Sequence, residues 1–207
     1  MVELKSHWEK IFTKKKSTEV SWYKPRLEIS LRLIKLAAVG NSAAIIDIGG
    51  GDSALVDDLL KSGYSNITVL DISQPALDRT RARLGEKSEN ISWLNADITQ
   101  SELPSNSYDL WHDRAMFHFL IDATAREAYV RRCQIAVKPG GAVIIATFAA
   151  DGPEQCSGLP TMRYSPEELQ RHMGPSFRLI ESIPEMHITP HGKPQSFVYC
   201  LFRKKSD

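Results

Sequence analysis

The sequence is poor in cysteine and contains no long apolar run. Its three cysteines, Cys133, Cys156 and Cys200, are odd in number and widely spaced, and none belongs to a C-x-x-C pair. This pattern argues against a disulfide framework or a zinc site and predicts reduced thiols in a cytoplasmic protein. No apolar stretch approaches the roughly 20 residues that cross a bilayer, and the charged first residues lack the apolar core of a secretory signal. We therefore expect no membrane partner.

The sequence also lacks an excess of charge of either sign. It has 26 lysines and arginines against 25 aspartates and glutamates. A balanced chain has no basic field that would attract nucleic acid, so we expect no nucleic-acid partner. Its 207 residues fit one α/β domain. We divide that domain into an arm and helix (1–40), a core (41–148) and a region with a long loop and the terminal strands (149–207).

Apolar runs of strand length alternate with helical patterns along most of the chain. Strands are predicted at 43–48, 66–72, 91–98, 107–114, 142–148, 177–183 and 195–204. Strands joined by helical crossovers run parallel, with helices on both faces of the sheet. The last two strands have no helix between them, which predicts an antiparallel pair at one edge. We expect an α/β fold with a doubly wound, seven-stranded, mostly parallel sheet, an antiparallel last strand and an N-terminal helical arm.

Several residues predict where helices begin and end. The first core helix is predicted with Pro25 in its first turn and Gly40 beyond its end. Asp122 is expected to cap the helix at 122–137, and Ser165 with Glu168 predicts a capping box. The segment KPGG is predicted to turn the chain into the fifth strand.

Three consecutive glycines follow the first predicted strand, in AAIIDIGGGDSALVDDLL (43–60). A strand that runs through glycines into a helix brings backbone N–H groups close to a bound ligand. Gly49, Gly51 and Ala54 even satisfy the dinucleotide pattern G-x-G-x-x-[GA]. The glycines alone therefore leave two hypotheses open, a nicotinamide cofactor or a cofactor without phosphate.

The nicotinamide hypothesis requires features that the sequence lacks. None of its six tyrosines is followed four residues later by a lysine, and the chain is too short for a two-domain dehydrogenase. By contrast, Asp47, Asp71 and Asp97 stand at the ends of the first three predicted strands. They can attract an ammonium group, accept hydrogen bonds from ribose hydroxyls and bind the adenine amino group, respectively. Because three carboxylates would repel a pyrophosphate, the pattern favours the sulfonium S-adenosylmethionine (SAM).

The segments DIGGGDS, LDIS, NADI and KPGG, with their spacing, resemble the motif series of class I SAM-dependent methyltransferases. The resemblance covers residues 43–148, and Ser53 departs from it by standing in the last glycine position. It implies that SAM is the cofactor and S-adenosylhomocysteine (SAH) the product, with the glycines along the methionine part, Asp71 on the ribose and Asp97 beside the adenine. The expected cofactor contacts are Trp22, Tyr23, Asp47, Gly49, Gly50, Gly51, Asp71, Ile72, Asp97, Ile98, His112 and Arg114.

The segment DLWHDRAMFHF (109–119) is similar to a W-x-D-R stretch in thiopurine S-methyltransferases and related small-molecule enzymes. Those enzymes also begin with a tryptophan-containing arm that folds over the cofactor. Here the arm is residues 7–25, which contain Trp22 and Tyr23. These two side chains are interpreted as a lid over the sulfonium, with a hydrophobic clasp that holds the arm down as the alternative.

Candidate catalytic residues follow the fourth strand. Asp113 can orient an acceptor or take its proton, or it can simply pair with Arg114. Arg114 can instead bind the carboxylate of SAM, as the resemblance implies. His118 can act as a base or form part of an aromatic wall. Cys156 can bind a soft acceptor or fill a small apolar space.

The acceptor stays open among three hypotheses. The W-H-D-R stretch and the lid favour an enzyme that methylates a small molecule with a thiol or another soft nucleophile. The alternative is a protein-lysine methyltransferase, for which no D-K-G-T-like stretch follows the fourth strand, and the third is a SAM-binding regulatory module. No metal site is predicted, because Pro190 and Gly192 argue against a helix that would align His187 with His191. The oligomeric state is not predicted.

Overall fold

The computed structural model describes the backbone of residues 2–206 and the side chains of residues 4–206. The α-helices are α1 (Val2–Lys14), α2 (Glu28–Leu36), α3 (Leu55–Lys61), α4 (Gln74–Leu84), α5 (Ala123–Ala136) and α6 (Pro166–Met173). The strands are β1 (Ile45–Ile48), β2 (Ile67–Asp71), β3 (Ile91–Asn95), β4 (Tyr108–Arg114), β5 (Val137–Phe148), β6 (Gln155–Cys156), β7 (Leu159–Pro160), β8 (Phe177–Ile188) and β9 (Pro194–Lys204). Short 3-10 helices cover Ser17–Glu19, Gly85–Asn90 and Phe117–Phe119.

Seven strands form one sheet in the order β3-β2-β1-β4-β5-β9-β8. Strands β1 to β5 are parallel, whereas β9 is antiparallel to both β5 and β8. The predicted seven-stranded, mostly parallel sheet with an antiparallel last strand is therefore confirmed. The last strand lies inside the sheet, because it inserts between β5 and β8. Strands β6 and β7 form a separate small hairpin.

The chain order reverses between β1 and β4, which are neighbours in the middle of the sheet. From β1 the chain builds outward through β2 and β3, and it then returns to start the other half at β4. In an open α/β sheet the crossover helices diverge at such a point and leave a crevice at the carboxyl ends of the strands. The topology therefore fixes where a ligand can enter the fold.

The sheet is covered on both faces, which explains the continuous apolar runs of its central strands. One face carries Ile46, Trp111 and Ile145 and packs against residues of α5 and α6. The other face carries Ile45 and Ile144 and packs against residues of α2, α3 and α4. Residues of one strand alternate between the two cores, since successive side chains of a strand point to opposite faces.

Most predicted helix ends are confirmed, and one is wrong. Asp122 accepts a hydrogen bond from the backbone N–H of Ala125, and Ser165 forms the capping box with Glu168. The helix α2, however, begins at Glu28, so Pro25 precedes it. Proline fits a first turn, but it fits the extended segment before a helix equally well.

The segment KPGG lies within β5 and does not precede it. Tyr108 pairs with Val137 and Leu110 pairs with Ala142, so the segment is a bulge between two paired stretches. A Cβ atom on Gly141 would lie 2.7 Å from Val137 Cγ1, which leaves room for glycine alone. The predicted turn is therefore an irregularity inside a longer strand.

All three cysteines are free and buried, as the sequence predicts for reduced thiols. Cys133 and Cys200 belong to the core on one face of the sheet, whereas Cys156 lies in the β6–β7 hairpin. None of the described helices combines the length and the apolar character needed to cross a membrane.

Candidate active site

A crevice of about 1200 Å³, open solvent included, lies at the carboxyl ends of β1 to β4. Eleven of the twelve cofactor-binding residues that the sequence predicts line it: Trp22, Tyr23, Asp47, Gly49, Gly50, Asp71, Ile72, Asp97, Ile98, His112 and Arg114. Gly51 is not part of this lining, and its carbonyl oxygen accepts a hydrogen bond from the Thr80 hydroxyl at 2.6 Å. The topology thus brings the ends of four strands and the N-terminal arm around one cavity.

The glycine loop lies so close to two carboxylates that side chains there would clash. A Cβ atom on Gly50 would lie 2.4 Å from Asp47 Oδ2, and one on Gly51 would lie 2.5 Å from Asp71 Oδ2. Gly49 has φ of +66°, a conformation that glycine adopts without strain. The three glycines therefore let the backbone pass directly over the carboxylates of β1 and β2.

Asp71 is buried at the end of β2, with 5% of its surface exposed. Its Oδ1 accepts a hydrogen bond from Ser73 N at 2.8 Å. Burial raises the pKa of Asp71 to about 7, against the hydrogen bonds from Ser73 and Gly51, and the charges of Asp47 and Asp52 add to the rise. The ionised form of such a buried carboxylate is stabilised by any partner that donates hydrogen bonds to it.

Asp97 shapes the turn that follows β3. Its Oδ1 accepts hydrogen bonds from the backbone and the hydroxyl of Thr99, at 2.9 and 2.7 Å. Its Oδ2 accepts one from Gln100 Nε2 at 3.0 Å. The side chain is thus held in place at the crevice wall, next to the buried Ile98.

Asp52 is a crevice residue that the sequence analysis did not single out. Its carboxylate contacts Arg79 at 2.8 Å and Arg83 at 3.0 Å, and it accepts a hydrogen bond from the Ser17 hydroxyl at 2.5 Å. Arg79 also donates to the carbonyl oxygen of Phe12. The sequence shows that Arg79 and Arg83 share one face of α4, being four residues apart, but it does not show that this face meets the acid after the glycines.

The arm closes the crevice with an aromatic cluster, which we define as Trp8, Phe12, Trp22 and Phe119. Trp8 lies 4.9 Å from Phe119 and 5.7 Å from Trp22 between ring centroids. All four side chains line the crevice. Trp22 therefore fits both hypotheses made from the sequence, since it faces the cavity and also packs in the cluster that holds the arm.

Arg114 is held at the end of β4 by three contacts. Its Nε donates to the Tyr199 hydroxyl at 2.7 Å, and its Nη1 donates to the Trp22 carbonyl at 3.0 Å. The guanidinium lies 5.0 Å from the centre of the Phe197 ring. Its Nη2 is buried, and no hydrogen-bond partner for it exists within the described part of the chain. Arg114 therefore lines the crevice with one N–H group that has no acceptor among the described residues.

Asp113 does not pair with Arg114 and does not line the crevice, so both of its predicted roles need correction. Its Oδ1 accepts a hydrogen bond from Met116 N at 3.0 Å, and its Oδ2 accepts one from the Tyr129 hydroxyl at 2.8 Å. The side chain is fully buried, and burial raises its pKa to about 6. Asp113 therefore supports the loop after β4 from the core side.

The position of His118 also argues against its predicted role as a base. It is fully buried outside the crevice lining and stacks on Phe148, with ring centroids 4.4 Å apart. Its Nδ1 accepts a hydrogen bond from Phe148 N at 3.2 Å. Burial lowers the pKa of His118 to about 3, with a smaller effect from the charge of Arg114. The ring is a neutral member of the aromatic wall.

Cys156 does line the crevice, next to the arm. Its Sγ lies 3.6 Å from the Ser21 hydroxyl. The thiol is 6% exposed, and burial raises its pKa above the ordinary value. Cys156 is therefore a neutral thiol at the pH of most cells.

Glu185 on β8 is a second residue that the sequence analysis missed. It accepts a hydrogen bond from Tyr199 at 2.8 Å and forms an ion pair with Lys24 of the arm. Burial tends to raise the pKa of Glu185, but the hydrogen bonds from Lys24 and Tyr199 and the charge of Arg114 hold it below the ordinary value. The negative charge of Glu185 is thus compensated by Lys24 and by the hydrogen bond from Tyr199.

A family model described as a methyltransferase domain matches residues 45–141. The match begins at β1 and ends inside the bulge of β5, and it includes the glycine loop and the strand ends of the crevice.

Two curated relatives are eEF1A methyltransferases by name. The chain is 25% identical over 183 residues to EEF1A lysine methyltransferase 2 of Danio rerio, covering 86% of this chain and 72% of that protein. It is 31% identical over 108 residues to the eEF1A lysine and N-terminal methyltransferase of Mus musculus, covering 52% of this chain. The chain spans 15% of the length of the mouse protein.

Two solved structures are similar to this chain in fold. One was described for the conversion of a disulfide bond into a thioacetal group during echinomycin biosynthesis; it has a TM-score of 0.79, 15% identity and coverage of 98% of this chain and 92% of that chain. The other is the 1,6-didemethyltoxoflavin-N1-methyltransferase of Burkholderia thailandensis with bound SAH; its TM-score is 0.74 at 17% identity, covering 99% and 88%. At these identities the likeness establishes the fold.

Proposed function

We propose that this chain, which belongs to the class I SAM-dependent methyltransferases, methylates a small molecule that carries a thiol or another soft nucleophile. Its cofactor is SAM, and SAH is the product that remains after transfer. When bound, the cofactor supplies a methyl group activated by its sulfonium. The protein must then align the acceptor, exclude water and allow the acceptor to lose one proton.

The crevice residues fit the cofactor chemically. Asp71 can accept hydrogen bonds from the ribose hydroxyls, and Asp97 can hold the adenine amino group. Asp47 can attract the ammonium group, since its Oδ2 lies under the glycine loop. The unpartnered Nη2 of Arg114 supplies a donor for the carboxylate. Charged groups of both signs in the cofactor thus have complementary partners in this proposal.

The acceptor proposal depends on one observation, the uneven distribution of charge around the crevice. The carboxylates of its lining, Asp47, Asp52, Asp71 and Asp97, all stand at or after the ends of β1 to β3. The wall made by the end of β4 and the arm carries aromatic and apolar side chains, together with the cation Arg114 and with Lys24, which is paired with Glu185. No carboxylate belongs to that wall among the described lining residues.

This charge pattern suits a thiol better than a lysine side chain. A lysine ammonium must lose a proton before it can attack, and no group on that wall is placed as a base. A thiol has a pKa of about 8.5 and is therefore partly ionised near neutral pH without help, and the guanidinium of Arg114 favours its thiolate. The arm also covers the crevice with the aromatic cluster, which limits the size of an acceptor and excludes water.

A protein-lysine acceptor is the second candidate. The observation in its favour is the similarity to EEF1A lysine methyltransferase 2 of Danio rerio, which extends over 72% of that protein. This alternative requires that the arm move aside, because a protein chain has to reach a methyl group under the aromatic cluster.

The test is a panel of acceptors incubated with purified protein and methyl-labelled SAM. The panel contains small thiols of graded pKa, metalloid oxyanions, small amines and lysine-containing polypeptides. We expect label on thiols, at a rate that follows the thiolate fraction of each thiol as the pH rises. Label confined to polypeptides would establish the second candidate, and SAM binding without transfer to any acceptor would indicate a regulatory module.

A further inference from the structure

A buried hydrogen-bonded chain links helix α2 to the glycine loop through β4. His112 Nδ1 lies 2.7 Å from Asp47 Oδ1, and His112 Nε2 lies 2.9 Å from the Ser30 hydroxyl. Asp47 and His112 are direct partners in the β1–β4 register. The exposed fractions are 3% for Asp47, 1% for His112 and 0% for Ser30. These three residues come from three separate elements and meet only in the folded chain.

With a neutral imidazole, one arrangement of protons satisfies Asp47, His112 and Ser30 together. A buried carboxylate requires a donor, so the proton of a neutral imidazole belongs on His112 Nδ1, directed at Asp47. His112 Nε2 then accepts, and the Ser30 hydroxyl is the group that donates to it. The carboxylate of Asp47, which can only accept, sets the Nδ1–H tautomer, and the Ser30 hydroxyl holds the imidazole ring in the orientation that serves Asp47.

The two carboxylate oxygens of Asp47 have different surroundings. Oδ1 is occupied by His112, whereas Oδ2 lies under Gly50, at the place where a Cβ atom would come within 2.4 Å. Asp47 lines the crevice, and Ser30 does not. Rotation of the carboxylate would therefore move Oδ2 away from the loop, and the hydrogen bond to His112 opposes that rotation.

We propose that Ser30 and His112 are positioning residues that fix the carboxylate of Asp47 for the ammonium group of the cofactor. The inference rests on the proposed role of Asp47 in cofactor binding. Ser30 acts through His112 and His112 acts through Asp47, so neither of them needs to touch the methyl acceptor. The hydrogen bonds that join Ser30, His112 and Asp47 also couple the affinity for the cofactor to the position of α2, the helix that follows the arm.

The experiment is a double-mutant cycle in which the Kd for SAH is measured by calorimetry. Ser30→Ala should raise the Kd for SAH about tenfold, the loss typical of one hydrogen bond that orients a charge. In the Asp47→Asn background the same substitution should change the Kd less than about twofold, because the group through which Ser30 acts is absent. A purely structural contribution of Ser30 would persist in both backgrounds.

The matched control is Thr147→Val, which removes a fully buried hydroxyl that has no hydrogen-bond partner among the residues that the structure describes. It should leave the Kd for SAH unchanged in both backgrounds. An unchanged Kd in Ser30→Ala, or an equal loss with Asp47 and with Asn at that position, would overturn the proposal. Since the readout is SAH binding, the result is independent of which acceptor is methylated.

Nitrogen-15 spectra of the His112 ring provide a readout that needs no measurable affinity in the Asp47 variant. The wild type should show the proton on Nδ1 and a lone pair on Nε2. Ser30→Ala should shift the Nε2 resonance, because its lone pair loses the hydroxyl that donates to it, without a matching loss of Tm. An Nε2 resonance that is the same in the wild type and in Ser30→Ala would contradict the role assigned to Ser30.

Discussion

The hydroxyl of Ser17 donates a hydrogen bond to the carboxylate of Asp52 at 2.5 Å, which ties the N-terminal arm to the glycine loop. The same carboxylate is held by Arg79 and Arg83 of α4. The arm, the loop and α4 therefore share one charged centre at the edge of the crevice. An arm that covers a bound cofactor must open for the cofactor to enter and leave. Substitution of Asp52 therefore tests what holds the arm closed.

Asp52→Asn should loosen the arm. Loss of the charge weakens the contacts to Arg79, and through it the hydrogen bond to the Phe12 carbonyl. We expect trypsin to cleave at Lys14, Lys15 and Lys16 about tenfold faster, since an exposed segment is cut in its open state.

The matched control for this variant is Asp57→Asn. Asp57 also pairs with Arg83, at 2.8 Å, but it belongs to α3. It should leave the cleavage rate in the arm near that of the wild type. Equal protection of the arm in both variants would contradict the role of Asp52.

Closure of the arm over the cofactor should be visible in tryptophan fluorescence. Trp8 and Trp22 line the crevice, whereas Trp111 is buried in the core and Trp93 donates to the Ser88 carbonyl away from it. SAH should change the emission of the wild type and of Trp93→Phe alike. The change should fall by about half or more in Trp22→Phe, because the responding ring lies in the aromatic cluster. An equal response in both variants would place the lid elsewhere.

Cofactor affinity should fall as the pH is lowered through about 7. The pKa of Asp71 is raised to about 7 by burial, and its ionised form is the better acceptor for ribose hydroxyls. Below that pH a proton must leave before the cofactor binds, at a cost of up to tenfold in Kd per pH unit. Calorimetry with SAH from pH 5.5 to 8.5 tests this, and Asp71→Asn should bind more weakly with a nearly flat profile.

The same carboxylate should make the ligand-free protein less stable at higher pH. The pKa of Asp71 in the folded state is raised above the ordinary value, so the folded state binds the extra proton between about pH 4 and 7. Its contribution to the free energy of unfolding is therefore lost as the pH rises through this range, by up to about 4 kcal/mol. Ligand-free Asp71→Asn should melt above the wild type at pH 8, with a difference that shrinks toward pH 5. A wild type that melts higher at both pH values would contradict this.

Asp113→Asn should destabilise the protein without removing a catalytic group. The carboxylate accepts hydrogen bonds from Met116, Phe117 and Tyr129 in the core. Exchange of one oxygen for a donor should lower the free energy of unfolding by about 1–3 kcal/mol. The rate per folded molecule should stay near that of the wild type; a hundredfold loss of kcat at unchanged Tm would restore the catalytic role.

The sequence predicted the cofactor half of the site because that half follows from local order along the chain. Each of Asp47, Asp71 and Asp97 ends a strand or follows one closely, and parallel strands bring their carboxyl ends to one edge. The contacts of Ser30 and Asp52 could not be predicted in the same way. They depend on how helices distant in sequence are seated against the sheet.

The assignment of Asp113 failed for a reason that the sequence contains. Successive side chains of a strand point to opposite faces, so Asp113 shares a face with Trp111, and both bond to the Tyr129 hydroxyl. His112 and Arg114 share the other face and line the crevice. Alternation along β4 therefore separates the crevice residues from the supporting ones.

The most direct test of the account is the fate of the methyl label in a complete cell extract. The extract is separated by ultrafiltration into small molecules and macromolecules, and each fraction is incubated with the protein and methyl-labelled SAM. The account predicts transfer of label to a compound in the small-molecule fraction, and loss of that transfer after thiols are blocked with an alkylating agent. Label that appears only on a polypeptide, with none in the small-molecule fraction, would contradict it.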